Sequence, residues 1–269
     1  MQLFRHFFRV ALFCFLGIFT SVAIAQSSST DFSPAQTEAI QKIVHDYLVN
    51  NPQVLVEVAK SLQKQEQDKW QKEAAKTVPE IAKKLFNGGT SPVVGNPDGN
   101  VTIVEFFDYQ CPHCKEMSAF VNGLLKTDKD IRVVYKVLPI FGDDSKFDVT
   151  AGLAAYVQSP EKFSAFHDAM MKLTVPLTPA VTLKVASEVG LNVKQLQADM
   201  KNPMFGVEIQ ENYELAKKLN LTGTPAFIMA RVVYDPKTHK MVSFKNPVLV
   251  PGAVDEETFL KAVAEARGG

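Results

Sequence analysis

Two cysteines separated by two residues, Cys111-Pro112-His113-Cys114, follow the apolar run Val101-Thr102-Ile103-Val104-Glu105-Phe106-Phe107. The run is rich in β-branched and aromatic residues and reads as a buried strand, whereas Lys115 to Val121 has the composition of a helix. The pair is therefore expected where a strand hands over to the N-terminus of a helix. Free backbone N–H groups and the helix dipole favour an anion there, so the Cys111 thiol is expected to ionise below the free-thiol value of about 8.5. His113, between the cysteines, adds positive charge. Two thiols at this spacing suit disulfide exchange, with Cys111 attacking and Cys114 resolving. A stabilised thiolate favours the reduced form, which makes the disulfide form a strong oxidant.

Other uses of the same four residues fit less well. A closed zinc site needs a second pair of ligands at metal spacing; no other Cys pair exists, and His45, His167 and His239 are scattered. Covalent haem attachment needs His after the second Cys, where Lys115 stands. A purely structural disulfide across two residues closes almost no loop and removes little entropy from the unfolded chain. No metal or organic cofactor is implied.

The N-terminus reads as a secretory signal peptide over residues 1–25. Arg5 and Arg9 precede an apolar core from Val10 to Ile18, and Ala23-Ile24-Ala25 supplies a cleavage signal after Ala25. The apolar core is too short for a stable span, and no later stretch approaches the roughly 20 apolar residues a span needs, so a soluble mature protein is expected. Cys14 lies in the removed segment, and Phe before it argues against a lipoprotein signal. The mature chain then holds Cys111 and Cys114 in an oxidising space. The whole chain carries 29 basic and 29 acidic residues, and losing two arginines leaves 27 against 29, a formal charge of −2. Nothing in this balance suggests nucleic acid as a partner.

Ser33-Pro34-Ala35-Gln36 is a capping-box start for a helix whose apolar face is Ile40, Ile43, Val44, Tyr47 and Leu48. Asn50-Asn51-Pro52 breaks it, and a second helix follows with Leu55, Val58 and Leu62 on one face. Gln63 to Lys76 is charged and amide-rich. Residues 26–89 are read as a helical oligomerisation region and linker, because such stripes have little of their own chain to bury against; packing of the same helices on the main domain is the alternative. Residues 90–269 form the main domain. Its expected order is the strand before Cys111, the motif helix, a strand at Ile131–Leu138, a helical block over about 142–220, strands at Ala226–Val233 and Val242–Val250, and a final helix from about Asp255 to Ala266. That order is α/β with a helical insertion.

Val104-Glu105-Phe106-Phe107-Asp108-Tyr109-Gln110-Cys111-Pro112-His113-Cys114, with Gly223-Thr224-Pro225-Ala226-Phe227 over a hundred residues later, resembles the DsbA-like thiol-disulfide oxidoreductases of the bacterial periplasm. The resemblance covers most of residues 93–266 and implies a thioredoxin fold with a helical insertion. The stretch through Asp46-Tyr47-Leu48-Val49-Asn50-Asn51-Pro52 is similar to a subgroup with an N-terminal multimerisation region, which includes Com-type outer-membrane antigens and suppressor-of-copper-sensitivity oxidoreductases. By the family pattern Glu105 corresponds to a buried acid that exchanges a proton with Cys114; a salt-bridged strand residue is the alternative. Pro225 matches the proline whose cis bond presents backbone to a substrate strand, and Thr224 would stand beside Cys111.

The resemblance implies disulfide formation, isomerisation or both in cysteine-containing secreted clients, through Cys111, Pro112, His113 and Cys114. It further implies a DsbB-like or DsbD-like membrane redox partner, a homodimer or homotrimer, and a periplasmic site with outer-membrane or surface association as an option. Oxidases often carry Val at the Thr224 position and isomerases Thr, so an oxidase-like Cys-Pro-His-Cys is combined with an isomerase-like Thr-Pro and the direction stays open. A chaperone or surface binding protein with a non-essential Cys pair is the rival reading. The run from Tyr234 to Pro247 looks longer than the family's usual strand connection.

Overall fold

The computed structural model describes residues 32–268, so the signal-peptide reading of residues 1–25 lies outside the described residues. The chain divides into two compact units between Glu57 and Val58. The first unit holds α1 (Pro34–Asn50) and the first turn of α2 (Gln53–Phe86). Ser33 and Gln36 form the expected capping box: the Gln36 N–H donates to Ser33 Oγ at 3.3 Å and the Ser33 N–H to Gln36 Oε1 at 2.9 Å. No residue of α1 is buried, and its apolar stripe is open, with Ile43 67% and Tyr47 57% exposed.

The second unit contains one five-stranded sheet in the order β1-β3-β2-β4-β5. Its strands are β1 (Val93–Gly95), β2 (Val101–Phe107), β3 (Ile131–Val137), β4 (Ala226–Tyr234) and β5 (Met241–Val250). Strands β2 and β3 run parallel, and the remaining neighbours pair antiparallel. Every residue of β2 and β3 is buried, which is why both read as continuous apolar runs: both faces of the sheet are covered. Alternation along β2 sends Val101, Ile103 and Phe107 into one core and Val104 and Phe106 into the other.

The first core lies under α3 (Pro112–Thr127), α9 (Glu256–Arg267) and the helices between β3 and β4: α4 (Asp143–Gln158), α5 (Pro160–Lys172), α6 (Pro179–Glu188), α7 (Val193–Asp199) and the start of α8 (Pro203–Lys218). This is the α/β architecture with a helical insertion that the sequence predicts. The three-residue edge strand β1 was missed, being too short to show alternation.

The second core takes in the end of α2. Ala74, Val78, Ile81, Ala82, Leu85 and Phe86, at helical spacing on α2, pack with Val104, Phe106 and Ile228. The end of α2 is therefore part of the main domain's core, not of a free arm. The stretch after it, read as a linker, is pinned by buried polar groups. Arg132 donates to the Phe86 carbonyl at 2.7 Å and to the Tyr234 hydroxyl at 2.8 Å. Lys136 pairs with Glu208 at 3.4 Å, and Glu208 also accepts from the hydroxyls of Thr90 and Ser91. The long run from Tyr234 to Pro247 is mostly strand. It is the β4–β5 hairpin with a short turn in which Asp235 accepts from the backbone of Lys237 and Thr238. Among the described residues no helix is long and apolar enough to cross a membrane.

Candidate active site

Cys111 is the N-cap residue of α3 and Pro112 occupies the first turn, where its missing N–H costs nothing. The expected handover from strand to helix is thus in place, and both cysteines are free thiols. Cys111 is only 2% exposed, and its sulfur donates to the Thr224 carbonyl at 3.3 Å. The Thr224–Pro225 bond is cis. Two segments far apart in sequence therefore meet at one sulfur.

The two thiols differ sharply in acidity. Cys111 is lowered from 9.0 to about 6, first by the hydrogen bond from the Cys114 thiol, then by Thr224 and by the backbone N–H groups of Cys114 and His113, against an opposing effect of burial. The Thr224 hydroxyl is buried and has no hydrogen-bond partner, so it is free to turn to a thiolate. Cys114 is pushed up, first by burial and then by its role as donor to Cys111 and by the nearby Glu105. The helix N-terminus works on Cys111 as expected, through specific N–H groups. The positive charge expected of His113 does favour the Cys111 thiolate, but as the smallest influence on the ring. The ring is 65% exposed and its Nδ1 lies 3.0 Å from Glu116 Oε2. Its pKa is raised first by Glu116 and least by Cys111, so the main contribution of His113 to the sulfur is its backbone N–H.

Glu105 shares the sheet face of Ile103 and Phe107, beneath α3. It is 1% exposed and its Oε1 has no hydrogen-bond partner. Burial, then the charge of Cys111, raises it from 4.5 to about 8. The salt-bridged alternative is not met, since no cation pairs with it among the described residues. Glu105, Cys111, Cys114, Thr224 and Pro225 thus converge, while the His113 ring is exposed beside Glu116.

Sequence reasoning missed the residues that hold the loop. Asp108 accepts from the N–H groups of Gln110 at 2.9 Å and Ile140 at 2.8 Å and from Ser145. Gln110 donates to Asp148 of α4 at 2.6 Å and to the Leu177 carbonyl at 3.2 Å, while Lys115 reaches the Leu173 carbonyl at 2.8 Å. The residues on either side of the motif are thereby tied to the helical insertion. Their position beside the motif was the available signal; their partners lie in elements whose packing no local pattern reveals. Among the described residues no group of His, Cys, Asp and Glu side chains is arranged to hold a metal ion.

Residues 102–264, more than half of the chain, match the DSBA-like thioredoxin domain, and residues 36–69 match the N-terminal domain of the copper resistance protein ScsC. The chain is 40% identical to a thioredoxin-like oxidoreductase from Silicibacter pomeroyi, covering 69% of this chain and 96% of that one with a TM-score of 0.59. It is 25% identical to Proteus mirabilis ScsC in a transitional conformation, covering 87% and 98% with a TM-score of 0.59. Curated relatives are matched only in part. The chain spans 65% of disulfide bond formation protein D of Bacillus subtilis at 24% identity, and 21% of an Na(+)/H(+) antiporter of Salinispora arenicola at 28%. With its buried, unequal cysteine pair at the head of α3, the chain belongs to the DsbA-like family of thiol-disulfide oxidoreductases.

Proposed function

We propose that the protein exchanges disulfides in cysteine-containing secreted clients in the periplasm, in the isomerising direction. The opposed acidities of Cys111 and Cys114 carry the exchange chemistry in either direction: one sulfur is a thiolate at neutral pH and the other is held as a thiol until needed. The N-terminal helix favours isomerisation. The Cys111 thiolate attacks a client disulfide, forming one Cys111–client bond and releasing one client thiolate. That thiolate attacks a different client disulfide, and the client thiolate freed there attacks the client sulfur of the mixed disulfide, so that Cys111 leaves again as a thiolate. When no rearrangement follows, Glu105, relieved of the Cys111 charge once that sulfur is bonded to the client and so more acidic than in the free dithiol, takes the Cys114 proton, and Cys114 attacks Cys111. The client sulfur then departs as a thiolate with the bonding electron pair, and Cys111–Cys114 becomes the disulfide. A DsbD-like membrane reductant returns that disulfide to the dithiol.

Thr224 and Pro225 are assigned to the client backbone beside Cys111, and Pro112 and the His113 N–H to shaping the thiolate site. Isomerisation is supported by the open apolar stripe of α1 and the match to the ScsC N-terminal domain, which suit a homodimer or homotrimer with several cysteines around one client. The second reading, oxidation with a DsbB-like partner, rests on the acidic Cys111, since thiolate stabilisation makes the disulfide more oxidising. The cellular redox state of the pair separates the two: mostly reduced for isomerisation, mostly oxidised for oxidation. The rival chaperone reading falls if Cys111→Ser abolishes recovery of scrambled ribonuclease, and stands if that variant keeps full activity.

A further inference from the structure

Glu105 is sealed, yet an acid that takes a proton from Cys114 must pass it on before the next cycle. A client in mixed disulfide with Cys111 covers the front of the site, so the exchange with water must run behind it. On the Glu105 face of the sheet the neighbours along β2 are Ile103 and Phe107, and the residues directly opposite are Tyr135 on β3 and Phe227 on β4. Of these four, Tyr135 alone has a group that can give and accept a proton.

Tyr135 leads away from the cysteines. The ring of His167, from α5, lies against it with centroids 4.2 Å apart, and His167 Nδ1 is 3.2 Å from the Tyr109 hydroxyl. Tyr135 and His167 both line a cavity of about 250 Å³ between α3, α5 and β1, whose rim carries Asn122, Lys126 and Asp168. A polar-rimmed space of that size holds several waters. His167 is 2% exposed, lies on the apolar face of α5 with Phe163, Phe166 and Met170, and has no part in the exchange chemistry above.

We propose that Tyr135 and His167 form the proton route between Glu105 and water in this rear cavity; the proposal rests on the reading of Glu105 as the proton acceptor for Cys114. In the resolving step the proton leaves the Cys114 thiol for Glu105, then passes by way of the Tyr135 hydroxyl and the imidazole to cavity water, with water bridging the steps that no direct hydrogen bond spans, and it returns by the same path when Cys114 is released as a thiolate. The groups against His167 are Tyr109 from the loop after β2 and Tyr135 from β3, with Asp148 of α4 beyond Tyr109, while Lys126 of α3 and Asp168 of its own helix line the same cavity. None holds the imidazole as a cation, since burial drives its pKa to about 3. A neutral imidazole has one N–H and one lone pair, as a relay requires. Burial likewise keeps Tyr135 a neutral phenol.

The test is stopped-flow resolution of a mixed disulfide between full-length protein and a cysteine peptide, run against pH in H2O and D2O. Tyr135→Phe removes only a hydroxyl and His167→Phe keeps an aromatic ring, so both should fold. Each is expected to slow the resolving step by about tenfold or more, the scale of a lost proton-transfer group, to change its solvent isotope effect, and to leave the Cys111 thiolate midpoint in place. Imidazole added to His167→Gly should restore part of the rate. Wild-type rates, isotope effects and pH profiles in both Phe variants overturn the route. If Glu105→Gln slows resolution while these two do not, the route alone fails. If Glu105→Gln is itself without effect, the role of Glu105 falls and the route with it.

Discussion

Cys111 Sγ lies 3.3 Å from the carbonyl oxygen of Thr224, which joins the head of α3 to the loop before β4 across 113 positions of sequence. The sulfur is almost covered, flanked by one backbone carbonyl and one buried hydroxyl.

Thiolate ultraviolet absorbance against pH should give a Cys111 midpoint near 6, and a midpoint near the free-thiol value would refute the activation described above. Thr224→Val, which removes the hydroxyl but keeps the carbonyl, should raise the midpoint by roughly half a unit to one unit, the worth of one hydrogen bond. His113→Ala should raise it less, because the exposed ring faces Glu116 and the backbone N–H survives the substitution.

The same acidity links redox state to stability. The folded pKa of Cys111 is lowered, so thiolate stabilisation of the reduced form is fully present above the unfolded value near 9 and is lost as pH falls through about 6. Melting curves of the reduced and oxidised proteins should therefore move apart as pH rises from 6 to 9. A gap independent of pH over that window would contradict the linkage.

Glu105 works with the opposite sign. Its folded pKa is raised to about 8, so relative to the unfolded chain the protein loses stability as pH climbs from about 4.5 towards 8. Glu105→Gln should melt higher than wild type at pH 8, with the difference shrinking towards pH 4.5, while resolution by Cys114 slows by about tenfold or more. A variant that melts lower at pH 8 would show that the carboxylate has a stabilising partner.

Much of this site could be read from the chain because its chemistry is local. A strand, two cysteines and a helix start occupy consecutive residues, and the capping box of Ser33 and Gln36 is likewise contained in four positions. What could not be read depends on distant packing. Val78, Leu85 and Phe86 follow a charged stretch and look like the tail of an arm, until β2 and β4 supply the apolar face that buries them. The ring of His113 looked like the natural partner of the thiolate, until Glu116 one helical turn on claimed it. His167 gave no signal beyond apolar helical spacing, because its use depends on Tyr135, which reaches it from another strand.

The division within α2 makes two truncations behave differently. Residues 26–69 carry the open stripe of α1 and the exposed Leu55, Val58 and Leu62, and none of the residues described there is buried. Their removal should leave a folded domain with an unchanged Cys111 midpoint. If the stripe joins copies of the chain, that domain should be monomeric by light scattering while the longer protein is a dimer or trimer, and it should lose isomerase activity while keeping dithiol oxidation, which needs one active site. Extending the deletion to residue 87 strips Val78, Leu85 and Phe86 from the second core. A Leu or Phe side chain lost from a core costs about 2–5 kcal/mol, against a total stability of about 5–15 kcal/mol, so this longer truncation should not fold. A stable, active domain starting at residue 88 would show that the end of α2 is dispensable, and a monomeric full-length protein at micromolar concentration would show that the stripe does not join copies.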